Sequence, residues 1–416
     1  MTDLRPPLAR YAERLHATLG DRHHVASPLG AWLLLALSGP AATAGTRDDL
    51  ESVLGMDVDA AAATARALLD DPHPLVGAAS GVWHRPGSDT RQLDDWSAGL
   101  PWRTATGPLP DGSALDAWAR EHSLGLVERF PITVGPDTLL VLASALATRI
   151  SWADPFTVTE ADALGAGSPW AGTLRWVLRT PPYGHRCWIA RTSRAGDVVV
   201  HAAPARPADD GAGLLVVSVA AMPDVPPVDV LAAAHDIAAQ AAAGTGGHRA
   251  GSLYDLPLGD TPLWTVCEEP TRTSAPDGRA ESVAAVLPAW SAENHHDLSA
   301  PALGFPAAAR ALGDLLGAPD PPFEVAQAAV ARYGRFGFEA AAVTAFGVAA
   351  GLPPEGVIRV AELRFAHPYA VVAVATDDRA GGAAAGPWHG VPVFSAWVAE
   401  PEEVPEADLA DPPMQW

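Results

Sequence analysis

Apolar residues near the N-terminus recur at helical spacing. Leu8, Tyr11, Leu15 and Leu19 share one face of a helix predicted over 8–19. Ser27-Pro28 opens a second helix, with a hydroxyl cap and a proline in the first turn ahead of Trp32-Leu33-Leu34-Leu35. Gly39-Pro40 stops it. Thr46 with Asp48 and Asp49 starts a third, ending near Gly55, and 60–69 forms a fourth. The pattern changes at Leu75. Residues 75–83 read as a strand, and 115–127 as a helix carrying Trp118. The run 138–148 is apolar and uncharged, the pattern of a strand buried on both faces. Strands follow at 176–179, 197–202, 214–219 and 283–287, interrupted by a helix over 228–243 that Gly244 ends. The stretches 323–333, 357–365, 369–375 and 391–398, rich in Val, Ala and aromatics, complete the set. Helices come early and strands late, without regular alternation. That order predicts an α+β fold with large, partly antiparallel sheets.

Two regions lack such signals. Residues 244–280 read as a long loop or insertion. After Pro401, five carboxylates (Glu402, Glu403, Glu406, Asp408, Asp411) sit among prolines, so 402–416 is expected to be a frayed acidic tail behind one domain spanning 1–401.

The chain has 416 residues, 48% of them hydrophobic and 18% charged, enough apolar matter for a well-filled core. Its formal net charge is −22, and every cationic side chain is Arg rather than Lys. Phosphates would be repelled, so neither nucleic acid nor an anionic membrane is an expected partner. Cys187 and Cys267 are the only cysteines, too few for a disulfide scaffold or a zinc site. The N-terminus lacks a basic stretch followed by an apolar core, and 31–37 is too short to cross a bilayer, which together suggest the cytoplasm. His23-His24 and His295-His296 are adjacent pairs whose side chains would point to opposite faces of a strand, so no metal is expected, nor any cofactor. Gly244-Thr245-Gly246-Gly247 follows a helix rather than opening one and reads as a helix stop. No G-x-S-x-G, P-loop, H-E-x-x-H or paired C-x-x-C occurs, and nothing argues for an enzyme.

Six segments, in order, resemble the serpin family from about residue 8 to residue 401. Ser27-Pro28-Leu29 is similar to the start of that family's second helix. Leu115-Asp-Ala-Trp118 through Gly125 and Val127 resembles its Trp-bearing helix. Residues 139–156 resemble a strand motif, keeping Trp152 and Phe156 with Ser144 in place of Asn. Leu287-Pro288 through Leu303-Gly304, Phe365-Ala-His367-Pro368-Tyr369 and Val393-Phe394 to Pro401 match three further stretches. A seventh and the most telling is Gly337-Phe338-Glu339-Ala340-Ala341-Ala342-Val343-Thr344, similar to the family's hinge. Small side chains suit a segment that must slide into an existing sheet without displacing its neighbours.

The resemblance implies a serpin fold, with mixed and antiparallel sheets, about eight to nine helices and an exposed reactive-centre loop over about 338–358. It implies a monomeric suicide-substrate inhibitor, not an enzyme, with a protease of serine or cysteine type as partner. Counting from Gly337 puts the reactive bond at Gly351-Leu352; counting back from His367-Pro368 puts it near Val357. Arg359 could attract a trypsin-like protease but lies far along the chain. The sequence departs from the family at the hinge. Phe338 replaces a small Thr or Ser, Arg335 and Phe336 replace acidic residues, Ala289 replaces a Lys that pairs with them, and Gln327 stands where a gating His is usual. The alternative implied is a non-inhibitory protein of the same fold that binds a partner or ligand.

Overall fold

The computed structural model describes residues 3–85, 91–244, 252–318, 321–337, 354–377 and 385–410. The N-terminal region consists of α1 (Arg5–Leu19), a short strand β1 (His24–Ala26), α2 (Pro28–Ser38), α3 (Ala44–Leu54) and α4 (Val58–Asp70). Leu8, Tyr11 and Leu15 bury the inner face of α1, and Gly20 ends it at φ 75°. Ser27 accepts from the Gly30 N–H with Pro28 in the first turn, so α2 begins where the sequence places it. This helix is apolar almost all round, and Leu29, Trp32, Leu33 and Leu35 are fully enclosed.

The chain continues through β2 (Gly77–His84), α5 (Arg91–Ser97), β3 (Ala105–Pro108), α6 (Gly112–His122) and β4 (Leu140–Ala147). Next come β5 (Thr157–Glu160), β6 (Trp176–Arg179), β7 (Arg186–Thr192), β8 (Gly196–Pro204), β9 (Gly213–Ala220) and α7 (Pro227–Ala242). The last third holds β10 (Gly259–Asp260), β11 (Trp264–Arg272), β12 (Arg279–Leu287), β13 (Trp290–Asp297), α8 (Phe305–Leu315), β14 (Ala326–Tyr333), β15 (Glu355–Arg364), β16 (Tyr369–Thr376) and β17 (Pro392–Val398).

These strands form four sheets: β1-β17-β16-β9-β8-β7, β10-β11-β15-β12-β6-β5, β3-β2-β4 and β13-β14. The first is antiparallel throughout. Helix α7 covers one of its faces, setting Val230, Leu231 and Ile237 against Val200, Val217 and Val372. Burial on both faces explains why β9 is apolar along its length apart from Ser218. The α+β class with mixed and antiparallel sheets is as expected.

Several expectations need correction. The run 138–148 is not buried on both faces: β4 is only half-buried at Leu140, Leu142, Ser144, Ala145 and Leu146. Helix α6 stops at His122 instead of reaching Val127, because Leu124 takes φ 55° and Gly125 φ 79°. The 244–280 region is no plain loop, since it supplies β10 and β11. Residues 402–410 do not fray. The Glu402 N–H bonds Ala289 O at 2.7 Å, the Glu403 carboxylate accepts from Arg175 N and Trp176 N at 2.7 and 2.9 Å, and Val404 is buried. The loop assigned to 338–358 ends earlier, because 355–358 already belong to β15.

Candidate functional site

β4 pairs with β2 along one edge, and β14 pairs with β13 along one edge. Among the described residues the other edge of each has no strand partner, and these two open edges face each other. Helix α2 floors the gap. Ser144 of β4 donates its hydroxyl to Gly30 O at 2.9 Å. Gln327 of β14 reaches the same turn: its Oε1 accepts from Ser27 N and its Nε2 donates to Ser27 O, both at 2.8 Å. A Cβ on Gly30 would lie 3.5 Å from Gln327 Nε2 and 3.6 Å from Leu146, so this glycine sits between the two walls.

Both strands run toward the same end of the gap, its mouth. Beyond β4 the chain reaches Ser151, beyond β14 it reaches Gly337, and these two residues pair. The Trp152 N–H bonds Phe336 O at 3.2 Å, and Trp152 Nε1 donates to Gly334 O at 2.8 Å. Gly337 takes φ 79°, and a Cβ there would stand 2.4 Å from Ile150 O, so only glycine fits. Three cavities mark the gap. One of about 460 Å³ lies at the far end, lined by Leu34, Leu140, Phe305, Leu312 and Phe323. A second of about 90 Å³ lies beside Gly30, Trp118, Ser144 and Gln327. A third of about 60 Å³ lies near Trp152, Tyr333 and Gly337. β4 and β14 therefore form parallel walls of a slot one strand wide. Backbone N–H and C=O groups on such edges need partners, and a strand antiparallel to both would supply them.

A packed aromatic corner flanks the mouth. Phe156 meets Trp152 edge-on with centroids 5.8 Å apart, and Tyr333 lies 5.0 Å from Trp152. Arg335 is buried there. Its Nε donates to Phe156 O at 3.0 Å, its Nη1 to Asp408 O at 2.7 Å and to Ala410 O at 3.0 Å, and its guanidinium stacks on Phe336. The C-terminal segment thus supplies acceptors to the Arg that stands where an acidic residue is expected. Ala289, which replaces the family's Lys, is held by that same segment.

Two histidine relays adjoin β14 and β1, and each is complete only when its rings are neutral. The Tyr333 hydroxyl can donate to His201 Nδ1, His201 Nε2 to His185 Nδ1, and His185 Nε2 to Asp154 O. Likewise Ser395 donates to His16 Nε2, His16 Nδ1 to His24 Nε2, and His24 Nδ1 to Arg22 O. Burial pushes His24 and His185 down to about 4 and holds His16 and His201 well below the usual histidine range. Among the described residues, no group of His, Cys, Asp and Glu could hold a metal ion, and no helix is long and apolar enough to cross a membrane.

The structure brings Ser27, Pro28, Ser144, Trp152, Phe156 and Gln327 together around the slot, with Gly337 at its mouth. Trp118 lines the middle cavity and packs edge-on against Trp83 at 5.2 Å. Pro368 is apart, ahead of the fully buried Tyr369. Phe338, Glu339, Ala340, Ala341, Ala342, Val343, Thr344, Gly351 and Leu352 lie outside the described residues. Arg359 lies within β15. Sequence reasoning missed Gly30, Tyr333, the relays and the docked C-terminal segment. Val404 and Leu409, apolar residues five apart among carboxylates, were the available sign of docking.

No family model matches the chain. A rice (Oryza sativa subsp. japonica) protein provisionally described as serpin-Z8 is 28% identical over 172 residues, 37% of this chain; the match spans 41% of that protein's own length. The fold is similar to the native state of Tengpin, a thermophilic serpin, with TM-score 0.63, 12% identity and coverage of 96% of this chain and 95% of that one. It is also similar to human thyroxine-binding globulin complexed with thyroxine, with TM-score 0.61, 13% identity and coverage of 96% and 98%.

Proposed function

We propose that this chain, whose fold is that of the serpins, inhibits a protease of serine or cysteine type as a suicide substrate. The slot between β4 and β14 carries this reading, because the chain leaves β14 at its mouth. From Gly337, a segment that turns back runs antiparallel to both walls. Counting from Gly337 as the hinge glycine favours Gly351-Leu352 as the bond cut. The competing position near Val357 fits poorly, because its N–H bonds Gly278 O and its carbonyl accepts from Tyr254.

The protease nucleophile attacks the Gly351 carbonyl carbon, the Gly351–Leu352 C–N bond breaks, and the amine of Leu352 leaves with a proton. Gly351 stays esterified to the protease while Phe338 to Thr344 enter the slot ahead of it. New pairing along both walls supplies the driving force. Mixing the protein with subtilisin-like, elastase-like and papain-like proteases tests the reading. An SDS-resistant complex with at least one is expected; cleavage without a complex for all three would refute it.

A second reading, a non-inhibitory member that binds a ligand, draws on Phe338 and on thyroxine-binding globulin among similar folds. An aromatic first inserting residue risks overpacking, at about 1–3 kcal/mol. Restoration of a stable complex by Phe338→Thr would identify that ring as the obstacle.

A further inference from the structure

The strand after the loop is held on both edges. β12 runs parallel to β15 from Arg279 opposite Val357 to Val286 opposite Arg364. On the other side β11 runs antiparallel to it over nine positions, from Trp264 opposite Leu363 to Arg272 opposite Glu355. β11 comes from the region between α7 and β12, whose other parts also grip β15. Arg359 forms an ion pair with Glu268 at 3.1 Å and donates Nη1 to Leu253 O and Leu256 O, both at 2.8 Å. Its guanidinium lies 4.6 Å over the Tyr254 ring, and the Tyr254 hydroxyl donates to Val357 O at 3.2 Å. At the two ends, Thr273 N bonds Pro354 O at 3.0 Å and Arg364 pairs with Asp260 at 2.6 Å.

Resting on the function proposed above, we infer that residues 252–273 are a lock that keeps the uncut loop out of the slot. Residues 338–353 join Gly337 at the mouth to Pro354 at the start of β15. Filling the eight positions of β4 carries the chain about 26 Å into the slot at about 3.3 Å per residue. An uncut chain must return over the same distance, which takes about eight more extended residues. All sixteen are then spent, with none for the turn or for the path to β15. Uncut insertion therefore has to strip residues from β15, breaking pairs on both edges at once. Cleavage removes the tether and leaves β15 where it is. The lock makes insertion conditional on cleavage.

Two variants test it with the full chain. Arg359→Ala loosens the grip. Val360→Cys places a second thiol opposite Cys267, so that oxidation joins β11 to β15. Each uncut protein is held at a temperature about 10 °C below its own melting point, and the fraction still cleavable in the loop is followed with intactness checked by mass. The loosened variant should lose its cleavable form at least about five-fold faster than the parent, without being cut. Oxidised Val360→Cys should lose it no faster than the parent yet still gain thermal stability when cut, which separates the lock from the insertion itself. Equal rates for Arg359→Ala and the parent, with a stabilised cut form, would overturn the lock alone. A cut parent that gains no stability would overturn the function beneath it, and the lock with it.

Discussion

Gln327→Ala tests whether the gate between β14 and α2 is a hydrogen-bonded clamp. Ser27 is 3% exposed, so its main chain has little access to water. The substitution removes both 2.8 Å bonds to Ser27. The Ser27 carbonyl keeps a bond from Ala31 N at 3.3 Å, but the Ser27 N–H is left without its partner. A buried donor stranded in this way costs about 1–3 kcal/mol, and water entering the adjoining cavity of about 90 Å³ favours the lower half of that range. At about 2.1 cal/mol/K per residue the unfolding entropy of this chain is near 0.9 kcal/mol/K, so the melting point should fall by about 1–3 °C. Gln327→Glu keeps the acceptor for Ser27 N–H but sets a carboxylate oxygen against Ser27 O. At pH 8 it should be less stable than the alanine variant, and on acidification toward pH 5 it should regain part of the loss. Calorimetry of the three proteins at both pH values decides the matter. An alanine variant that melts with the parent, or a glutamate variant equal to the parent at pH 8, would refute the clamp.

Further predictions concern the buried histidines and the C-terminal segment. Neither ring nitrogen of His235 has a hydrogen-bond partner among the described residues, so His235→Leu should raise stability by about 1–2 kcal/mol; a lower urea midpoint would show that the ring is bonded. The relay histidines titrate below their unfolded values, so the unfolded chain binds more protons. Stability should be full above about pH 6.5 and decline toward pH 4, by about 1.4 kcal/mol per pH unit for each such ring. Urea midpoints unchanged between pH 7.5 and 5 would contradict neutral relays. Ending the chain at Pro401 removes the acceptors at Asp408 and Ala410 from buried Arg335, and should lower the melting point by several degrees; an unaltered melting point would mean the segment merely lies on the surface.

Much of the fold was legible because its early helices carry either a regular apolar face or a cap. Ser27-Pro28 announced α2, and the spacing of Leu8, Tyr11 and Leu15 announced α1. β6 was placed at its exact ends, since a short apolar run between polar neighbours has few alternatives. What stayed hidden depends on long-range contacts. β11 reads Trp-Thr-Val-Cys-Glu-Glu-Pro-Thr-Arg, with exposed carboxylates and a proline that local patterning scores against a strand; pairing with β15, about ninety residues away, makes it one. The uncharged run of β4 looked like a buried central strand because the chain carries apolar side chains along a wall that is open in this state. Arg335 looked like a lost charge, since nothing nearby in sequence reveals that carbonyls of the C-terminal segment receive it.

The central claim is that the slot between β4 and β14 receives the hinge once the loop is cut. The most direct measurement is the melting point before and after a single cut within 338–353, made by a protease that the protein does not trap. Filling both strand edges should raise it by well over about 10 °C, against the 1 °C or so that 1 kcal/mol confers on a chain of this length. An unchanged melting point, with the cut verified by mass, would contradict the claim.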